Sequence, residues 1–340
     1  MKAAVIPEVN GRWELLDVPM PQPGPGEVLI KVAACGMCVN DVMATRGQIP
    51  FPAITPAITG HEPVGEVVEL GRGVTSRAVG DRVGATWVRA TCGRCDYCRL
   101  GLPVTGQSVF NCVAPVTTGF SVQGGHAEYL VAGADETVLI PDGLSAELAA
   151  PVLCAGYTSW SALCQAEPGP GERVAVLGVG GLGHLALQFS HTCGYETVAM
   201  TNSAEKHELA GKLGADFVVG SGAELREAGG ADVILVTAPS YSAATEAMQG
   251  LRVGGRLVLA GIDPDESFVI PPAVVYPFFA QGNRILGATH NGLPYLREAL
   301  RLVAEGRVTP MVEVFEMAEV ADAVDRVGKG DVRFRAVVKY

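Results

Sequence analysis

The chain has 340 residues, 48% hydrophobic and 18% charged, with 25 basic against 36 acidic side chains and a formal net charge of −11. That length allows two domains of ordinary size, each with its own core. The acidic balance, with Lys and Arg dispersed rather than clustered, argues against nucleic acid or an anionic membrane as a partner.

No apolar run reaches the roughly 18 residues that a membrane span needs. The N-terminal stretch MKAAVIPEVNGRWELLDVP turns polar too early for a signal peptide, so the expected location is the cytoplasm. Nine cysteines are present. Without a secretion signal a disulfide framework is not expected, which leaves metal binding or burial to explain them.

From residue 1 to about 150 the pattern is short and β-like. EVLIKVAACG alternates at Val28, Ile30 and Val32, GEVVELG carries Val67 and Val68, and GHAEYLVA follows, with Gly and Pro between the runs. Many short strands separated by turns suggest a barrel-like β domain. Within it CGMCVND, residues 35–41, holds two cysteines three apart, open at this point to a redox or a metal reading. CGRCDYC then places Cys92, Cys95 and Cys98 on one loop, and Cys112 follows after thirteen more residues. Three thiols at that spacing can wrap a tetrahedral ion, with a fourth arriving from further along, and a closed four-thiolate zinc site is structural rather than catalytic. A redox triplet is the alternative.

The texture changes near residue 145. SAELAAPVLCAGYTSWSAL reads as one helix with Ser145 near its start, stopped by EPGPGE. Strand-like runs then recur in RVAVL, TVAM, DFVVG, DVILVTA, GRLVLAGI and NRILGAT, mostly separated by helical stretches. Near-continuously apolar strands alternating with helices indicate a parallel, doubly wound α/β sheet. Two further helices, LPYLREALRLVAEG and MAEVADAVDRVG, precede a last strand in FRAVVKY.

GVGGLG directly follows the strand RVAVL and opens a helix. It runs from Gly178 through Gly180, Gly181 and Leu182 to Gly183 and fits the dinucleotide fingerprint, whose glycines let backbone and helix N-terminus approach a pyrophosphate. The tip of the next strand, where a carboxylate would take the ribose hydroxyl of NAD, carries Thr201, Asn202 and Ser203, with Lys206 nearby. Those donors suit a 2′-phosphate, so NADP(H) is expected in preference to NAD(H). The competing account is that Asn202 and Ser203 only cap the next helix.

Taken in order, CGMCVND, GHEPVGEVVELG, VGDRVG, CGRCDYC, GGHAEY, PVLCAGYTSW and GVGGLG resemble a zinc-containing alcohol dehydrogenase of the medium-chain dehydrogenase/reductase superfamily over essentially the whole chain. The resemblance implies a GroES-like β-rich catalytic domain from residues 1–150 and 289–340, with a structural zinc lobe. It also implies a Rossmann dinucleotide-binding domain over 151–288. It makes Cys38, His61 and Cys154 the ligands of a catalytic Zn2+. Glu62 becomes a nearby carboxylate able to approach the metal, partnered by Arg335, and Asp41 orients the histidine. Cys92, Cys95, Cys98 and Cys112 become a structural zinc site whose thirteen-residue gap implies an enlarged lobe.

Relatives carry a hydroxyl and two histidines after the first ligand as a proton relay. Here Val39, Asn40 and Met43 stand at those positions, and an amide cannot shuttle a proton. Water, His126 or His290 could replace the relay. Three functional readings follow: a zinc-dependent oxidoreductase moving hydride between NADP(H) and an alcohol/aldehyde or ketone, a reductase of an iminium or conjugated C=C bond, or a non-enzymatic dinucleotide-binding protein. The three retained ligands count against the last. A small-molecule substrate and a homodimer or homotetramer are expected, with ESFVIPPAVVYPFF lying where relatives pair. Trp87 and Trp160 are read either as pocket walls or as core.

Overall fold

The computed structural model describes residues 1–49, 57–263 and 265–340. Contacts divide the chain into two compact units. The first comprises Met1–Cys154, Asn291–Glu305 and Pro310–Tyr340, and the second Ala155–His290 and Gly306–Thr309. The sequence-based divisions stood at 150/151 and 288/289. No helix among the described residues is long and apolar enough to cross a membrane.

The first unit is built on a seven-stranded sheet. Its order is Val312–Glu316, Arg335–Lys339, Glu27–Met37, Glu62–Leu70, Arg82–Ala85 and Thr137–Leu139, with Tyr129–Gly133 also pairing Glu27–Met37. Only Val312–Glu316 runs parallel to its neighbour. Strand Glu27–Met37 buries Val28, Leu29, Ile30 and Val32 with Lys31 and Ala33 exposed, and then becomes buried throughout from Ala34 to Met37. That change marks where it becomes central, covered on both faces. The register pairs Gly36 with Glu62 and Met37 with Ala336. Three chain segments far apart in sequence therefore end side by side just beyond Met37.

The second unit is a six-stranded parallel sheet. Its order is Phe217–Val219, Glu196–Met200, Arg173–Leu177, Ala231–Val236, Leu251–Leu259 and Arg284–Gly287. In chain order this is 3-2-1-4-5-6, the doubly wound arrangement whose crevice opens at the carboxyl ends of the strands. Val174, Val176, Val198, Ile234, Val236 and Leu257 are fully buried, as a sheet covered on both faces requires.

One expected helix is three pieces. Ser145 caps Ala146–Ala149 by accepting the N–H of Leu148, a 3-10 turn spans Ala150–Leu153, and a new helix runs from Ala155 to Ala166. Pro151 is the cause: it has no N–H to continue the helical ladder, and its ring crowds the preceding turn. Cys154 sits at the break with φ −126° and ψ −72°.

Candidate metal centres and nucleotide cleft

Cys38 follows the central strand and starts the short helix Val39–Thr45. His61 and Glu62 enter the paired strand, and Cys154 occupies the helix break. These elements bring one ligand atom from each of Cys38, His61, Glu62 and Cys154 within 4.8 Å of one another, all four residues buried. Asp41 ties two of the contributing segments together. One of its oxygens accepts the Cys38 N–H at 2.9 Å and the other the Gly60 N–H at 3.0 Å. Its distance to His61 Nδ1 is 3.7 Å, close for a charge interaction and too long for a hydrogen bond. Asp41 thus holds the backbones that carry the ligands.

Neither ring nitrogen of His61 nor Oε2 of Glu62 has a hydrogen-bond partner among the described residues, although all are buried. Bare polar atoms in such a place are costly unless a ligand completes them. Two thiols, an imidazole and a carboxyl are a zinc-type donor set. The electrostatics suit a cation. The Cys154 thiol, hydrogen-bonding to Cys38, holds the Cys38 thiol well below its ordinary range against the effect of burial, with His61 and Arg335 assisting. Burial opposes the ionisation of Asp41, but the charge of His61 overrides it and keeps the carboxyl low. Burial pushes the Glu62 carboxyl up to about 7 against the opposing charge of Arg335, whose Nη2 donates to Glu62 Oε1 at 2.5 Å.

A second cluster is made by Cys92, Cys95, Cys98 and Cys112, again with ligand atoms within 4.8 Å. Sulfur–sulfur distances of 3.9 Å (Cys92–Cys98), 3.5 Å (Cys95–Cys98) and 3.8 Å (Cys98–Cys112) match the edge of a tetrahedron of thiolates, roughly 3.8 Å for zinc–sulfur bonds of about 2.3 Å. Backbone N–H groups favour anionic sulfur here. The amides of Cys98 and Val113 draw the Cys95 thiol down to about 6; Cys92 and Ala114 donate to Cys112 Sγ as well, yet burial and the neighbouring Cys92 and Cys98 thiols leave Cys112 raised. The long gap before Cys112 is taken up by the helix Gly106–Asn111.

In the second unit, Gly178 has φ +94°, and a Cβ there would lie 2.8 Å from that of Ala238. A Cβ on Gly183 would lie 1.8 Å from the carbonyl oxygen of Gly178, so the helix Gly183–Thr192 packs against the turn. Gly180 has open space where its Cβ would be, room for a ligand to meet the backbone. A cavity of about 490 Å3 opens beside this turn, lined among others by Gly178, Thr201, Asn202, Lys206, Ser221 and Glu246.

The family model described as "Alcohol dehydrogenase GroES-like domain" matches residues 24–142, and "Zinc-binding dehydrogenase" matches residues 181–305. An alcohol dehydrogenase of Geobacillus stearothermophilus is 41% identical over 345 residues, which cover 100% of this chain and 99% of that protein. The chain belongs to the zinc-containing alcohol dehydrogenase family. Its fold is the GroES-like and Rossmann-type α/β pair of the medium-chain dehydrogenase/reductases. Among solved structures it resembles the cobalt- and zinc-bound thermostable alcohol dehydrogenase of Pyrobaculum aerophilum, at 29% identity and TM-score 0.85 over 100% of this chain and 99% of that one. It also resembles the Helicobacter pylori CAD complexed with NADP(H), at 25% identity and TM-score 0.85 over 99% and 97%.

In this dehydrogenase Val39 is exposed and Asn40 and Met43 are half-buried on the helix that begins beside Cys38. His126 does not fit the relay suggested for it. It is fully buried, its Nδ1 shares a 2.8 Å hydrogen bond with the Tyr340 hydroxyl, and burial holds it down to about 4, so the ring is neutral at neutral pH with Nδ1 already engaged. His290 lies in the second unit, its Nε2 3.0 Å from the Thr158 hydroxyl and its ring stacked on Tyr157 at 3.9 Å. Trp160 is buried against Phe189, a core contact, whereas Trp87 is half-buried against exposed Phe110.

Gly181 continues the glycine turn and Leu182 forms the cap of the helix that follows, its carbonyl accepting from the Ser159 hydroxyl. Ser203 is absent from the cleft lining and precedes the 3-10 turn Ala204–Lys206 without a side-chain capping hydrogen bond. Sequence reading missed Ser221 and Glu246. Ser221 caps the helix Gly222–Glu227, and the Glu246 carboxylate accepts the Gly222 N–H at 2.8 Å. A cap residue after the third strand could have pointed to Ser221; Glu246 sits in a helix with no motif to mark it.

Proposed function

We propose that this dehydrogenase is an oxidoreductase that moves hydride between NADP(H) and an alcohol/aldehyde or ketone at the Cys38–His61–Cys154 centre. The observation that carries the reading is the buried cluster of two thiols and an imidazole whose ring nitrogens lack other partners. Cys38, His61 and Cys154 would hold a zinc ion, which as a Lewis acid polarises the substrate oxygen. Glu62, held by Arg335 and elevated to about 7, stands ready as an exchangeable fourth ligand. Asp41 keeps the Cys38 and Gly60 backbones fixed, so the donor set needs little reorganisation. The nicotinamide cofactor supplies or accepts the hydride. The Gly178–Gly183 turn would take its pyrophosphate, and Thr201, Asn202 and Lys206 offer donors and a positive charge to a 2′-phosphate, with Thr201, Asn202 and Ser203 rather than a carboxylate directly after the second strand. Cys92, Cys95, Cys98 and Cys112 would hold a structural zinc.

A second reading rests on Asn40. With an amide where a hydroxyl would pass on the proton, reduction of an iminium or a conjugated C=C bond becomes the alternative to alcohol chemistry.

Metal analysis combined with NADPH and NADH oxidation against aliphatic and aromatic aldehydes tests both. Two zinc ions per chain with NADPH-driven aldehyde reduction support the first reading. Two zinc ions and cofactor binding without aldehyde turnover transfer support to the second. Loss of either metal site overturns the scheme.

A further inference from the structure

His126 is a fully buried imidazole for which the proposed chemistry has no use. Its backbone belongs to a short clamp. The N–H groups of Gly124, Gly125 and His126 donate to the carbonyls of Ile58 (2.8 Å), Gly60 (2.7 Å) and Thr59 (3.1 Å), the residues leading directly into His61. Gly60 adopts φ +100°, and a Cβ at that position would lie 2.6 Å from the His126 nitrogen and 2.9 Å from its ring carbon Cδ2. The imidazole edge therefore occupies the space a side chain would need at the residue just before the ligand. The same peptide is gripped from elsewhere by Asp41, which accepts the Gly60 N–H.

The ring itself is fixed by two contacts. Trp13 meets it at 5.2 Å and 69°, a T-shaped arrangement, and Nδ1 shares the 2.8 Å hydrogen bond with Tyr340. Tyr340 directly follows the strand Arg335–Lys339, whose first residue holds Glu62 and whose Val338 is in register with Cys35. One strand thus reaches the cluster at both ends, at Glu62 through Arg335 and at Gly60 through Tyr340 and His126.

We infer that the Tyr340–His126 hydrogen bond is a positioning device for His61, locking the imidazole of His126 against Gly60 and so fixing the direction in which the ligand leaves the backbone. This rests on the reading of Cys38, His61 and Cys154 as metal ligands. His126 and Tyr340 are positioning residues: each acts through the Gly60 peptide and touches no reacting group.

The test is metal release from the intact protein loaded with Co2+, whose absorption bands separate a mixed nitrogen–sulfur site from one of four thiolates. Tyr340→Phe strands the His126 nitrogen, and His126→Phe strands the Tyr340 hydroxyl. Each should speed loss of the ion at Cys38, His61 and Cys154 to a chelator by about ten- to hundredfold, the range for a residue that orients a ligand. Release from the four-thiolate cluster should not change. The double variant lacks the hydrogen bond without stranding either polar partner, so it should still release the ion faster than the unaltered protein, which separates loss of the lock from the cost of an unpaired buried group. Equal acceleration at both clusters would mean general loosening and would overturn the inference, as would unaltered release in both single variants. Uptake of Co2+ by the four thiols alone in the unaltered protein would overturn the metal reading itself, a failure separate from the first two.

Discussion

Asn40 sits two residues after Cys38 on a helix whose third residue, Asp41, anchors that ligand's backbone, so its position is set while its chemistry differs from a hydroxyl. Exchange to Thr would supply a group that both donates and accepts, and a positioned proton donor is worth about a hundredfold or more in rate. Asn40→Thr should raise alcohol oxidation by at least about tenfold in initial-rate assays; an unchanged rate would remove the relay from the argument. Lys206 poses the matching question for the cofactor. The neighbouring Glu246 is already engaged, accepting the Gly222 N–H at 2.8 Å and 3.1 Å through its two oxygens, so its charge is committed to a helix start. Among the described residues lining the cleft, Lys206 is the cation. Lys206→Glu should cut kcat/KM for NADPH by about tenfold or more, through loss of a charge-assisted contact and added repulsion, with a smaller change for NADH. Equal losses with both cofactors would count against a 2′-phosphate at this place.

The glycine turn separates folding from binding within one element. Gly183 has no room for a Cβ, which would fall 1.8 Å from the Gly178 oxygen, whereas Gly180 has nothing within 4 Å. Gly183→Ala should therefore lower stability by about 3 kcal/mol, as overpacking against backbone does, read as a shift in the urea midpoint. Gly180→Ala should leave that midpoint alone while weakening NADPH binding in a fluorescence titration. A destabilised Gly180→Ala protein would show that the open space is not a ligand space. The spacing of these glycines was legible in the sequence because strand, turn and helix are local signals. The same holds for the alternating strands and for the Cys92–Cys98 loop. The long-range features were less legible. SAELAAPVLCAGYTSW reads as one apolar helix, yet Pro151 breaks it and leaves Cys154 at the discontinuity beside Cys38. Cys112 joins its cluster only because a helix fills the gap, and the partnership of His126 with Tyr340 spans 214 positions, which no local pattern encodes.

The two units are held together internally by different means, and acid should separate those means. The first contains both candidate metal clusters. The second carries a set of ion pairs where its parallel strands begin: Arg173 with Glu196 at 2.8 Å, Arg252 with Asp232 at 2.6 Å, and Arg256 with Glu172. Hydrogen bonding from Arg256 holds the Glu172 carboxyl below its ordinary 4.5, and Arg173 does the same for Glu196. A carboxyl whose value is lower in the folded state binds its proton more readily once unfolded. Its contribution is therefore complete above about pH 4.5 and is lost as the pH falls through the lower, folded value. The urea midpoint of the second unit should accordingly fall below pH 4.5, and Arg256→Met and Arg173→Met should each flatten that fall while lowering the midpoint at pH 7. Metal release is also acid-sensitive, since thiolate ligands must be deprotonated to bind. The two effects part under salt. Exposed ion pairs weaken with ionic strength, and Glu196 is 45% exposed, whereas thiolate coordination does not depend on long-range attraction. Midpoints measured in urea at low and high sodium chloride, with metal content followed in parallel, should show a salt-dependent component that disappears in the arginine variants. Acid sensitivity that persists in those variants without a salt-dependent component would place it elsewhere, in the candidate metal centres of the first unit.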